Sequence, residues 1–132
     1  MVVNSRTAGF EILDAKNVAN SLNAGVNKID VAFQPCRGRQ YRVEAFLFMS
    51  FLSGSFRSLW ITPDDSISEG SDCTWKPNDP VGNCQYLKDF IHEMQGYGAT
   101  IGIYTSLSQW IKFLGSKNAC SELGTVPLFW NP

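Results

Sequence analysis

The order of elements along this 132-residue chain predicts an α/β fold: a partial, (β/α) barrel-like parallel sheet with flanking helices, about four βα units in all. Three observations point there. Apolar residues recur at i, i+3, i+4 and i+7 in three separate stretches, the period of a half-buried helix. Short apolar runs rich in Val, Ile, Phe and Trp stand between helical segments and are bounded by turn residues. Helix and strand then alternate regularly, and crossovers joining parallel strands are right-handed. A closed eight-fold barrel needs roughly 200 residues or more, so 132 residues make a small open sheet or part of a barrel. The expected organisation is one domain over residues 1–132, incomplete relative to a full barrel.

Asp14 can cap a first helix carrying Ala15, Val18, Ala19 and Leu22 on one face, with Gly25 as its left-handed stop. Lys28 to Phe33 alternates Ile29, Val31 and Phe33 and reads as a strand that ends at Gln34, Pro35 and Cys36. Gln40 to Leu52 is apolar nearly all round, which predicts a helix buried on several sides. Ser53 and Gly54 break it, and Phe56 to Ile61 forms the next strand, stopped by Pro63. Asp64 to Gly82 is long and polar for a connection, a property of functional or disordered loops. Leu87, Phe90, Ile91 and Met94 then mark a helix that Gly96 and Gly98 end, and Thr100 to Tyr104 a strand. Ser106 can cap a last helix with Leu107, Trp110, Ile111 and Leu114 on one face and Gly115 behind it, and Val126 to Trp130 is the last strand.

Composition excludes several functions. With 44% hydrophobic and 17% charged residues the chain can bury a core, and a net charge of −1 gives no electrostatic footprint for nucleic acid. Its longest apolar run, Ala45 to Met49, is far short of the roughly 20 residues of a membrane span, so no membrane partner is expected. No ligand cluster for a metal and no glycine-rich phosphate loop stands out, so neither metal nor cofactor is expected. His92, the only histidine and so the one that Ser-His-Asp or Cys-His catalysis would need, falls in the middle of its helix on the polar side and reads as solvent-exposed. Cys36, Cys73, Cys84 and Cys120 are an even number, which suits an oxidising compartment and permits three pairings. The residues after Met1 have neither the basic start nor the apolar stretch of a secretory signal.

Working residues of parallel α/β folds lie at the C-terminal ends of strands, where loops converge and helix N-termini point. Carboxylates occur at one such end, where Thr62 and Pro63 lead into Asp64 and Asp65, with Glu69 beyond. Glycoside hydrolysis generally uses two carboxyl groups about 5–9.5 Å apart, and Asp64 with Asp65 or Glu69 can supply them. Adjacent acids in such a loop also serve as turn and capping residues. Phe33, Trp60, Tyr104, Phe129 and Trp130 fall near these ends and are candidates to stack on a sugar, although strand aromatics also fill cores.

Three stretches together carry a family resemblance. NVANSLNAGVNKIDVAFQPC (Asn17 to Cys36), SLWITPDDSISEGSDCTW (Ser58 to Trp75) and GATIGIYTSLSQWIKFLGS (Gly98 to Ser116), closed by PLFW (Pro127 to Trp130), are similar to lysozymes of glycoside hydrolase family 25, in the nematode and amoebozoan lysozyme-like branch. GIYTSLSQW, Gly102 to Trp110, is the strongest single motif. The resemblance implies a modified β/α barrel, muramidase action on bacterial peptidoglycan, cell-wall glycan as partner, and an extracellular, lysosomal or phagosomal location.

The resemblance also implies departures. The family's catalytic Asp-x-Glu follows a Trp near the end of a strand, and aligning on Trp60 and Ile61 puts Thr62 at the Asp and Asp64 at the Glu. Threonine supplies no carboxylate charge. Aspartate keeps an acid but is one methylene shorter, a displacement of a size that can cost about 100-fold. The family's first-strand aspartate and its later acidic position find no counterpart, as for a chain truncated at both ends, and a developing oxocarbenium loses their stabilisation. Impaired or absent hydrolysis follows, with three readings open: a glycan-binding lysozyme-like protein, a hydrolase in which Asp64 is the acid beside Asp65 or Glu69, and a truncated relic with an incomplete barrel.

Overall fold

The computed structural model describes residues 2–4, 20, 23–25, 29–52, 54, 56–63, 75–123 and 128–131, with the backbone alone for 2–4 and 128–131. Five strands, β1 (Val2–Asn4), β2 (Asp30–Phe33), β3 (Ser58–Ile61), β4 (Ile101–Ser106) and β5 (Leu128–Asn131), form one sheet in sequence order. Every neighbouring pair is parallel. Three helices, α1 (Tyr41–Leu52), α2 (Pro80–Gly96) and α3 (Leu107–Leu114), accompany them, followed by a 3-10 turn over Ser121–Leu123.

Sequential strand order decides where the helices go. Right-handed crossovers between successive neighbours turn the same way each time and place every helix on one side of the sheet, the winding of a barrel. Val31, Phe33, Leu59, Ile61, Ile101 and Ile103 accordingly share one core with Phe48, Leu52, Leu87, Phe90, Met94, Trp110 and Phe113. Residues between them in β2 and β3 are only half-buried, so the two sheet faces differ. The sheet is not closed: among the described residues β1 and β5 each have a single neighbour.

Helix ends follow their capping residues. Ser106 Oγ accepts from Gln109 N–H at 3.1 Å at the start of α3, and Gly115, at φ +99°, ends it in a conformation that glycine adopts without penalty. Asp79 caps α2 by accepting from Gly82 N–H, with Pro80 in the first turn, so this helix begins seven residues before Leu87. For the helix expected from Asp14, only its end is described: Ala24 N–H donates to Asn20 O at 3.0 Å, and Gly25 has φ +92°.

Two expectations change. β1 had no signal, because three residues are too few for a period. α1 is not buried on several sides: Glu44, Ala45, Phe48, Met49 and Leu52 face inward, while Val43, Phe46 and Phe51 are about half exposed. Of the three pairings that the sequence left open, the one that holds joins Cys84 to Cys120 and ties α2 to the segment after α3. Cys36 is also disulfide-bonded, and among the described residues no cysteine is free. No helix among the described residues is long and apolar enough to cross a membrane.

Candidate functional site

The ladder sorts the candidate aromatics onto different faces. Phe33 is 2% exposed, its ring 5.3 Å from that of Phe48 and 6.1 Å from that of Phe90, so it is core and offers no surface for a ligand. Trp60 lies on the opposite, half-buried face, in register with Ala32 on one side and Gly102 on the other. A β-carbon at Gly102 would come 2.6 Å from Trp60 Cζ3, so the indole lies flat against β4 where a side chain is missing. Tyr104, also half-buried, stands opposite Phe129, and Trp130 stands opposite Thr105. The side chains of Phe129 and Trp130 lie outside the described residues.

Trp60 is held from below by a charged pair that periodicity did not reveal. Its indole N–H donates to Asp30 Oδ2 at 3.4 Å, and Arg57 Nε and Nη2 donate to Asp30 Oδ1 and Oδ2 at 3.0 and 2.9 Å. The Arg57 hydrogen bonds, with help from Trp60, hold the Asp30 carboxyl below its ordinary pKa against a smaller opposing effect of burial. Asp30 is therefore ionised at neutral pH, at the N-terminal end of the strands. The only sequence signal was a carboxylate and an arginine at the starts of neighbouring strands.

Thr62 marks the other end of β3. Its N–H donates to Phe33 O at 3.0 Å, and its side chain is half-buried beyond Trp60 on the chain. Asp64, Asp65 and Glu69 lie outside the described residues. A threonine hydroxyl carries no charge near neutral pH and cannot serve as a carboxylate base or nucleophile.

Beside Thr62, the loop after β2 is stitched to α2. Tyr86 O–H donates to Cys36 O at 2.9 Å and buried Trp75 Nε1–H donates to Pro35 O at 3.2 Å. Arg37 donates to Asp79 Oδ2 at 2.8 Å and Asn83 Oδ1 at 3.1 Å, in the space that Gly82 leaves without a side chain. Asn83 in turn donates to the carbonyls of Lys76 and Phe113. Burial, and after it the charge of Glu44, push the Tyr86 phenol well above its ordinary pKa, so it stays a hydrogen-bond donor. Glu44 is itself fully buried and accepts from Arg39 Nη1 at 3.1 Å. Neither Glu44 nor Trp75 was picked out as buried, since a lone acid in a helix and a tryptophan in a polar stretch carry no periodic signal.

Cys84, Cys120 and Glu122 bring three donor atoms within 4.8 Å of one another. Two of them are joined in the disulfide and have no thiolate to offer a metal. What remains is the Trp60 indole against β4 and the hydroxyls at the C-terminal strand ends; the Asp30 carboxylate stands at the opposite end of the strands, engaged by Arg57 and Trp60.

A family model described as lysozyme-like protein 1 matches residues 3–131. The chain is 28% identical over 110 residues to the Dictyostelium discoideum protein named "Probable GH family 25 lysozyme 4", covering 80% of this chain and 48% of that protein. It is 28% identical over 120 residues to lysozyme-like protein 2 of Caenorhabditis elegans, covering 87% of this chain and 40% of that one. The chain thus spans less than half the length of these two curated relatives. No solved structure matches it. Since the family match covers almost every residue, the chain belongs to the lysozyme-like protein 1 family, as a divergent relative of the glycoside hydrolase family 25 lysozymes.

Proposed function

We propose that this protein recognises bacterial cell-wall glycan and has weak or no muramidase activity. Thr62 carries the proposal: an uncharged hydroxyl follows the last residue of β3, where the resemblance puts the first acid of Asp-x-Glu. Removing one preorganised group that stabilises developing charge typically costs about 100- to 1,000-fold in turnover. Asp64 at the second position retains an acid of shorter reach. Binding does not need either acid, because sugars stack on aromatic faces, and Trp60 is fixed for that role by Asp30 and Gly102. Tyr104 extends the same face, and the ladder continues from it to Phe129. The Cys84–Cys120 bridge supports an oxidising compartment, extracellular or lysosomal.

Retention on insoluble peptidoglycan tests the binding half of the proposal. Wild-type protein should sediment with the glycan, and Trp60→Ala should weaken retention about tenfold, equivalent to about 1.4 kcal/mol. Val81→Ala, on the outer surface of α2, should bind as wild type does. Equal retention of wild type and Trp60→Ala, or none by either, would contradict recognition on this face.

A further inference from the structure

The side of α2 turned away from the core carries chemistry that glycan recognition does not use. Cys84 near the start of α2, Cys120 after α3 and Glu122 in the 3-10 turn bring two sulfurs and a carboxylate oxygen within 4.8 Å of one another. Glu122 Oε2 lies 3.6 Å from Cys84 Sγ. The cluster stands on the helix side of the sheet, whereas Trp60 lies on the opposite face.

Bonded to each other, the two sulfurs have no charge to offer a cation. Parted, they are two thiolates beside a carboxylate, a mixed soft and hard set that suits zinc and leaves the fourth tetrahedral position for water. Two Zn–S bonds of about 2.3 Å at a tetrahedral angle hold the sulfurs about 3.8 Å apart. Cα atoms 5.5 Å apart can present them so by rotation of the two side chains alone. The set carries three negative charges against two on the metal, and Lys88, which lines the same cavity, offsets the excess.

This bridge is also accessible. Cys84 and Cys120 are half-buried and line an open cavity of about 290 Å³ with Pro80, Lys88, Leu114 and Glu122, whereas Cys36 is fully buried. Exposed disulfides are the labile ones. Among the described residues Cys120 is the one non-glycine with positive φ, +60°, a kind of backbone conformation that clusters at ligand and switch sites.

We propose that Cys84, Cys120 and Glu122 form a zinc site that opens when their bridge is reduced. A thiolate of a dithiol reductant attacks one bridge sulfur and expels the other as thiolate. The reductant's second thiol then closes its own disulfide and releases the first sulfur, so that two electrons pass to the chain. Zinc binds both cysteine sulfurs and Glu122, and the thiol protons leave to solvent. The metal thereby replaces the covalent tie between α2 and the segment after α3. In an oxidising compartment the bridge is retained, and where a dithiol reductant is present the metal takes its place.

Metal titration of the whole chain, oxidised and reduced with a non-chelating phosphine, tests this. The oxidised chain should bind no Co²⁺. The reduced chain should bind one, with thiolate-to-cobalt absorption in the near ultraviolet that one equivalent of Zn²⁺ abolishes, and Zn²⁺ should restore the urea midpoint that reduction lowers. Glu122→Gln should weaken binding at least about tenfold. Cys84→Ser with Cys120→Ser, which keeps Cys36, should show no cobalt absorption; if that variant does not fold, Glu122→Gln decides. Alkylation after limited dithiol treatment should mark Cys84 and Cys120 before Cys36. A reduced chain that binds no metal, equal binding by Glu122→Gln, absorption that survives in the double serine variant, or earlier labelling of Cys36 would each overturn the proposal.

Discussion

Gly102 stands in register with Trp60, and a β-carbon there would overlap the indole at 2.6 Å. The absence of one side chain on β4 thus sets the position of an aromatic ring on β3. Gly102→Ala should force the ring away, at a cost of about 1–3 kcal/mol, the usual range for overpacking. Urea denaturation read with peptidoglycan retention checks both effects. Unchanged stability and unchanged retention would mean that the ring is not held there.

Asp30 has a lower pKa in the fold than its ordinary value of 3.8 because Arg57 and Trp60 donate to its carboxylate. Its contribution to stability is therefore complete above that ordinary value and is lost as pH falls through the lower folded value. Asp30→Asn should reduce stability at neutral pH and flatten the acid limb, so that the two proteins converge in strong acid. Urea midpoints against pH decide it, and parallel curves would rule Asp30 out as a source of the acid limb.

Asp79 serves two partners, accepting from Gly82 N–H at 3.2 Å as the cap of α2 and from Arg37 at 2.8 Å. Asp79→Ala should destabilise by about 1–2 kcal/mol, the upper part of the range for lost caps. Asp79→Asn, which can still cap, should fall between. Equal losses for both variants would assign the effect to the charge rather than the cap.

The Cys84–Cys120 bridge closes a separation of 36 residues. Replacing both cysteines with alanine should remove about 2–4 kcal/mol of stability, mainly by freeing the unfolded chain. Thermal and urea unfolding of the double variant measure this, and a loss under about 0.5 kcal/mol would show that α2 and the segment after α3 stay together without it.

Where capping chemistry and period coincide, the sequence was readable. Ser106, the stripe from Leu107 to Leu114 and Gly115 place α3 where it is found. Asp79 and Pro80 were equally readable as a start for α2, but the polar stretch before Leu87 masked them. The apolar character of α1 misled because composition does not say which side is covered, and Val43 and Phe46 are exposed. At the site, Trp60 and Tyr104 were legible as aromatics near strand ends. Their separation from Phe33 depends on the alternation of each strand, and the Asp30–Arg57–Trp60 contacts depend on pairing register, neither of which a single run of residues displays. Disulfide connectivity was open for the same reason: spacing does not reveal that the start of α2 meets the segment after α3.

Turbidity of a peptidoglycan suspension, followed at acidic and neutral pH beside the retention assay, tests the central claim most directly. The account predicts retention without clearing, at either pH. Clearing by wild type that disappears in Asp64→Asn would contradict it and establish that the Thr62 and Asp64 pair of positions still supports hydrolysis.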